Sequence, residues 1–269
     1  MTTDTEVPTA AISYAVDENV AAIVLDRPGA SNALDRVLKE GLLEALTRAG
    51  SDPAVRAVAL TASGRNFCVG QDLAEHVAAL RADPAHAMDT VAEHYNPIVL
   101  ALNAIEVPVV VGINGACVGA GLGIALAADI RVAGCGAKFG TAFCGIGLAS
   151  DSGLSASLAR LVGQGRATGL FLLGDTIDAD TAQAWGLVHR VVPDADLAAE
   201  TVAVARRLAA GPTAAFKAVK RLLTANADAE LPEVLAREAE AQRLLGASTD
   251  HIGAVEAFVA KQRPTFMGS

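Results

Sequence analysis

Between Val107 and Asp129 the chain runs VPVVVGINGACVGAGLGIALAAD, with its one charged side chain at the far end. The first half, Val107 to Val118, is a nearly unbroken apolar run without the polar alternation of a one-sided strand. Such a strand is covered on both faces, as parallel strands inside α/β folds are. The second half, from Gly119, has the small residues of a helix packed closely on its neighbours. Gly and Asn interrupt the run, so it suits a buried strand and helix and not a membrane span.

The flanking segments fit an α/β class. Ile12–Asp26 predicts two strands joined by a tight turn. Leu34, Val37, Leu38, Leu42, Leu43 and Leu46 have helical spacing within Ala33–Gly50. Val55–Ala62 predicts a strand, and helices are expected over Leu73–Arg81 and Ala87–Ile105. Short strands follow near Ile130–Ala133 and Lys138–Thr141, then helices near Gly153–Val162 and Arg166–Leu173, and a strand at Leu187–Pro193. After Asp194 only helical patterns remain. The expected organisation is an α/β core over residues 1–200 and a helical region over residues 201–269.

The 269 residues are 52% hydrophobic and 19% charged, enough apolar material for a sizeable core. A net charge of −9 disfavours nucleic acid and anionic membranes as partners of the whole body. Cys68, Cys117, Cys135 and Cys144 form no CxxC pair and each sits in an apolar run, so buried free thiols in a reducing compartment are expected. The opening MTTDTEVPTA has neither the basic nor the apolar region of a signal peptide. A cytoplasmic protein is the expectation.

Two glycine-rich loops are placed to expose backbone amides. NGACVGAGLG, Asn114–Gly123, follows a strand and opens a helix, but a dinucleotide fingerprint needs glycines at 119, 121 and 124, and 124 is Ile. No Lys-Ser/Thr follows, which excludes a P-loop. What remains is either close helix–sheet packing or first-turn amides offered to a ligand oxygen. GRNFCVGQDLAEH, Gly64–His76, has the same character, with Asp72 placed as the N-cap of the next helix. A third stretch, IGLASDSG, holds Asp151, the only charged residue between Lys138 and Arg160. Asp151 suits two roles: an N-cap for the helix that follows, which favours the charged carboxylate, or an acid in a bare surround, whose pKa burial raises.

These loops resemble the enoyl-CoA hydratase/isomerase (crotonase) superfamily. The stretches that carry the resemblance are LDRPGASNAL with Arg27-Pro28 and Asn32-Ala33-Leu34, FCVGQDL, NGACVGAGLGIALAAD, ADTAQAWGLVHRVV and the ending AVEAFVAKQRPTF. It spans essentially the whole chain. It implies a crotonase-type ββα spiral core, a C-terminal helical trimerisation region, and a homotrimer or dimer of trimers. The implied ligand is an acyl-CoA thioester, with no metal and no cofactor beyond the coenzyme A of the substrate. By the same resemblance the backbone amides of Gln71 and Ala120 form an oxyanion hole, each donor worth about 2.7–4 kcal/mol in other enzymes. Arg27, Ala30, Val69, Gly70, Asp72, Leu73, Gly119, Gly121 and Phe143 are implied to contact substrate or coenzyme A. Phe258 and Lys261 match a stretch that reaches a neighbouring subunit's ligand, and His76 and His94 lie where the acyl pocket is walled.

The hydratase subgroup places two glutamates where this chain has Gly123 and Phe143. The isomerase subgroup instead places one acid in a G-L-x-P-D-x-G motif, which GLASDSG matches with Ser150 for Pro. The nearest likeness is to ring-1,2-epoxyphenylacetyl-CoA and Δ3,Δ2-enoyl-CoA isomerases. The expectation is therefore double-bond or ring-epoxide isomerisation with Asp151 as acid/base. A 2-enoyl-CoA hydratase and a catalytically idle acyl-CoA-binding trimer are the alternatives.

Overall fold

The computed structural model describes residues 11–268; the N-terminal decapeptide discussed above lies outside the described residues. Strands β1 (Ile12–Asp17) and β2 (Val20–Leu25) form an antiparallel hairpin. Its two-residue turn puts Glu18 and Asn19 at positive φ, as the right-handed twist of a tight hairpin requires. Helix α1 (Arg36–Ser51) begins where Asp35 accepts the amide of Leu38 at 2.9 Å. β3 (Ala57–Ala62), α2 (Leu73–Ala82) and α3 (Asn96–Ala104) follow, with a π-helical turn over Val91–Tyr95 leading into α3.

The apolar run that opened the sequence reading is not one strand. It forms β4 (Val109–Ile113) and β5 (Ala116–Val118), which belong to different sheets. The chain turns at Asn114-Gly115, where a Cβ on Gly115 would stand 2.1 Å from the Arg65 carbonyl oxygen. α4 (Ala120–Leu126), β6 (Ile130–Gly134), β7 (Lys138–Gly140), α5 (Leu154–Val162), α6 (Gln164–Leu173), β8 (Ile177–Asp178), α7 (Ala179–Ala184) and β9 (Arg190–Val192) complete the core.

The larger sheet has the order β1-β2-β3-β4-β6-β9, parallel from β2 onward; the smaller has the order β5-β7-β8. Both faces of the larger sheet are covered, as the lack of alternation in β4 requires. Val109, Val111 and Ile113 join the main core with Ile23, Leu25, Leu60 and the inner face of α1. Val110 faces the other way, with Ala57, Ala59 and Val132, against Val204, Ala205 and Ala209 of α8 (Leu197–Ala209). That approach is close: a Cβ on Gly112 would lie 2.4 Å from the Thr201 hydroxyl oxygen. α8 therefore runs across the 200/201 boundary and serves the sheet.

Beyond it, α9 (Thr213–Ala225), α10 (Leu231–Gly246) and α11 (Thr249–Val259) form the helical C-terminal region. Lys220 anchors α9 to the core through Asp129 at 2.5 Å and the Val107 carbonyl at 2.9 Å. The tail returns to the body where Asp250 accepts the amides of Met267 and Gly268, and where Arg56 donates to the Phe266 carbonyl. Of the four free thiols, Cys68 and Cys117 are buried, whereas Cys135 and Cys144 are exposed in turns, against the expectation of uniform burial.

Candidate active site

Two strand-like crossings zip the glycine loops together. Phe67 donates to the Asn114 carbonyl at 2.7 Å, Cys68 donates to Ala116 at 3.1 Å, and Val118 returns a bond to Cys68 at 2.9 Å. On the other flank, Leu34 donates to the Gly70 carbonyl and Asp72 donates to the Leu34 carbonyl. With the polar groups of Gly70 and Asp72 turned to that side, the amide between them, on Gln71, points the opposite way. It has no hydrogen-bond partner among the described residues, and neither does the amide of Ala120, the first residue of α4.

Positive φ at Gly70 (85°) and Gly119 (58°) makes both turns possible, and the absence of side chains lets the two backbones meet. A Cβ on Gly70 would lie 3.2 Å from the Val118 oxygen and 3.6 Å from the Ala120 nitrogen. Gln71 and Ala120, each with an unpartnered amide, both line a cavity of about 570 Å³.

The cavity collects Ala30, Val69, Gly70, Gln71, Asp72 and Leu73 from the first two loops. Gly119, Ala120, Phe143 and Asp151 line it from the other side, and His76 joins them from α2. Four residues implied by the resemblance are placed elsewhere. Gly121 is a packing glycine, its Cβ position 2.8 Å from the Cys68 sulfur. Arg27 is committed to structure, paired with Asp72 at 2.7 Å and Asp35 at 3.0 Å and bonded to the Ala33 carbonyl. Phe258 and Lys261 lie on exposed surface away from this chain's cavity. His94 is also absent from the lining; its Nδ1 faces the Thr90 hydroxyl.

Met88, Thr141, Ala142, Ile146 and Leu148 also line the wall without sequence signals of their own as site residues, as do Ser31, Ala33 and Ala74. Ile146 and Leu148 stood out only as bulky apolar neighbours of a lone acid. Met88 falls inside the helix expected from Ala87, but the chain is in turns over 84–89 and becomes helical only at Thr90, so the helical reading did not point Met88 at the cavity.

The two cavity carboxylates differ in environment. Asp72 caps α2 by accepting the Glu75 amide at 3.0 Å and pairs with Arg27; the cap bond first, then the guanidinium, hold its pKa below the usual carboxylate range. Asp151 does not cap α5. Gly153, in a left-handed conformation, occupies the N-cap position, and Ser152 also has positive φ. The Asp151 carboxylate accepts one hydrogen bond, from the Ser152 hydroxyl at 2.8 Å, and pairs with no cation among the described residues. Burial raises its pKa, and the serine bond opposes that rise only in part.

Neither glutamate position of a hydratase can act as an acid here. Phe143 puts a ring against the cavity, and Gly123 is packed so closely that a Cβ would lie 2.5 Å from the Ser152 Cβ and 3.0 Å from its carbonyl oxygen. The Cys68 thiol, close behind the loops, is pushed up to about 12 by burial and is chemically inert.

The doubly covered parallel sheet thus brings two unpartnered backbone amides and one desolvated carboxyl to a mostly apolar cavity. The enoyl-CoA hydratase/isomerase family model matches residues 15–269, and the chain belongs to that family, whose members act on acyl-CoA thioesters. A Rhodobacter capsulatus protein named probable enoyl-CoA hydratase is 41% identical over 96% of this chain and 98% of its own length. The 1,2-epoxyphenylacetyl-CoA isomerase of Escherichia coli is 37% identical over 94% of this chain and 97% of its own. A crystal structure from Mycobacterium abscessus, described by the same family name, is 68% identical, with a TM-score of 0.95 over 96% of this chain and all of that one. The fold is the crotonase fold with a helical C-terminal region.

Proposed function

We propose that the protein isomerises an acyl-CoA thioester, moving a double bond or rearranging a ring epoxide, with Asp151 as the acid/base. The observation that carries this reading is that Asp151 is the one cavity-lining carboxylate, among the described residues, without a cation or a cap bond, while both hydratase positions are non-acidic. In double-bond migration, the Asp151 carboxylate takes a proton from C2 of a 3-enoyl thioester. The thioester oxygen becomes an oxyanion held by the Gln71 and Ala120 amides, and the protonated Asp151 returns the proton to C4. Water is not a reactant, so the apolar wall of Phe143, Ile146 and Leu148 favours this outcome over hydration. The elevated pKa makes Asp151 a stronger base than an exposed aspartate. The name of the Escherichia coli relative agrees with this chemistry, whereas that of the Rhodobacter relative favours hydration.

Turnover of a 3-enoyl-CoA and a 2-enoyl-CoA in deuterium oxide, with product masses recorded for wild type and Asp151→Asn, separates the readings. A shifted double bond that disappears in the variant supports the proposal. A hydrated product that survives in the variant overturns it. Retained thioester binding without turnover by either protein points to an idle binder.

We further propose that the active species is a homotrimer or a dimer of trimers, assembled through the C-terminal helices, in which Phe258 and Lys261 reach a neighbour's ligand. Exposed Leu223, Leu231, Leu235 and Leu244 on α9 and α10 support this reading.

A further inference from the structure

Helix α2 shapes the cavity but contributes nothing to the core. None of its residues is buried, and Leu73, Val77 and Leu80 are exposed. Yet Gln71, whose amide is one of the two unpartnered donors, lies two residues before the helix, and Leu73, Ala74 and His76 line the cavity from its first turn. A helix without an apolar face on the body must draw its position from something else.

What holds it is polar and comes from one neighbour. Leu34, just ahead of α1, donates to the Gly70 carbonyl at 2.8 Å and accepts the Asp72 amide at 3.3 Å, so the residues on either side of Gln71 are fixed to it. One turn on, the Glu75 carboxylate reaches α1 itself. Its Oε2 accepts the amide of Arg36, the first residue of α1, at 2.6 Å, and its Oε1 meets the Lys39 ammonium at 2.5 Å. Lys39 is 1% exposed and is buried alongside Leu38, Leu42 and Leu46 of α1. Its ammonium also donates to the Thr90 hydroxyl at 2.8 Å and lies 5.7 Å from the centroid of the Tyr95 ring. Burying an ammonium is a poor route to stability, because an apolar pair of similar volume does as well or better; what such a pair can add is register.

We propose that Lys39 and Glu75 are positioning residues for the oxyanion hole: their ion pair fastens the start of α2 to α1 and so aims the Gln71 amide at the thioester oxygen. Neither side chain lines the cavity, and neither exchanges a proton with substrate. The proposal rests on the reading of the Gln71 and Ala120 amides as the oxyanion donors.

The test uses a saturated acyl-CoA carrying ¹³C at the thioester carbonyl, which binds without turning over. Its resonance is recorded by NMR on wild type, on Lys39→Met, and on Lys39→Met/Glu75→Leu, which leaves no unpaired charge and serves should the single variant fail to fold. In wild type the bound carbonyl is expected downfield of the free one, because donors that hold the oxygen draw charge from the carbon. In the variants that displacement is expected to fall by about half, since one of two donors is misaimed. On a 3-enoyl-CoA, kcat falls by about 10–10²-fold, while KM stays within about twofold. A bound carbonyl resonance identical in wild type and variants overturns the proposal, whatever happens to the melting temperature or the rate. A wild type that binds the thioester without displacing its carbonyl overturns the oxyanion-hole reading and the proposal together. A wild type that displaces it but turns over no enoyl-CoA overturns the isomerase reading alone, and the carbonyl comparison still decides the role of the pair.

Discussion

At the scale of single residues, Asp151 and Gly123 make opposite demands on stability. Burial lifts the folded Asp151 carboxyl above its unfolded pKa of about 3.9. Its contribution to stability is therefore fully present below that unfolded value and is lost as pH rises through the folded one. Asp151→Asn removes the loss and can keep the serine hydrogen bond. Its melting temperature is expected to exceed that of wild type at pH 7, with the difference shrinking towards pH 4, while isomerase turnover falls by about 10²–10⁴-fold. A variant less stable than wild type at pH 7 would contradict the burial argument. In wild type the same shift predicts an acid limb of kcat/KM centred above the ordinary aspartate value, since the ionised form is the base. Gly123 is a matter of space: Gly123→Ala forces a methyl against Ser152, and is expected to cost about 1–3 kcal/mol in denaturant unfolding. Because Ser152 bonds Asp151, turnover should fall as well; a variant with unchanged stability would show that the loop yields freely.

At the scale of elements, the caps and turns decide which backbone amides are free. The Asp72 cap was legible because an Asx residue directly precedes a helical pattern, and the structure places its carboxylate on the Glu75 amide. Asp151 has the same local signature, yet Gly153 takes the cap position, because the tight approach of Gly123 to Ser152 fixes how that loop turns. The Val107–Val118 run was legible as doubly covered but not as two strands. Its division at Asn114-Gly115 depends on the Arg65 carbonyl, a contact nearly fifty positions away along the chain. The Tyr95 turn had no local signal, since one extra residue in a helical turn leaves apolar spacing almost unchanged. The Asp72 cap also holds the start of α2 beside the Gln71 amide. Asp72→Ala is expected to cost about 1 kcal/mol of stability, to speed amide exchange in the first turn of α2, and to lower kcat more than it raises KM. Exchange unchanged in that turn would sink the argument.

At the scale of the whole molecule, the C-terminal helices are built differently from the core they follow. α10 contributes no buried residue, and a groove of about 700 Å³ between α9 and α10 is lined by Ala218, Leu222, Ala241, Leu244 and Leu245 among others. No helix among the described residues is long and apolar enough to cross a membrane. Exposed Leu223, Leu231, Leu235, Leu244, Phe258 and Val259 carry the apolar face across three helices. A second copy offers an apolar cover, and a closed ring of copies leaves no unpaired face. The proposed assembly predicts a sedimentation mass that is three or six times the 27.3 kDa of one chain. Leu244→Glu, which puts a charge into the α9–α10 groove far from Asp151, should shift that mass towards a single chain and leave the fold of the core intact by circular dichroism. If Phe258 and Lys261 act on a neighbour's ligand, KM for the thioester should rise as the assembly dissociates and return as protein concentration restores it. A wild-type protein that sediments as one chain while turning over substrate would rule out the trimer and leave Phe258 and Lys261 without a ligand to meet.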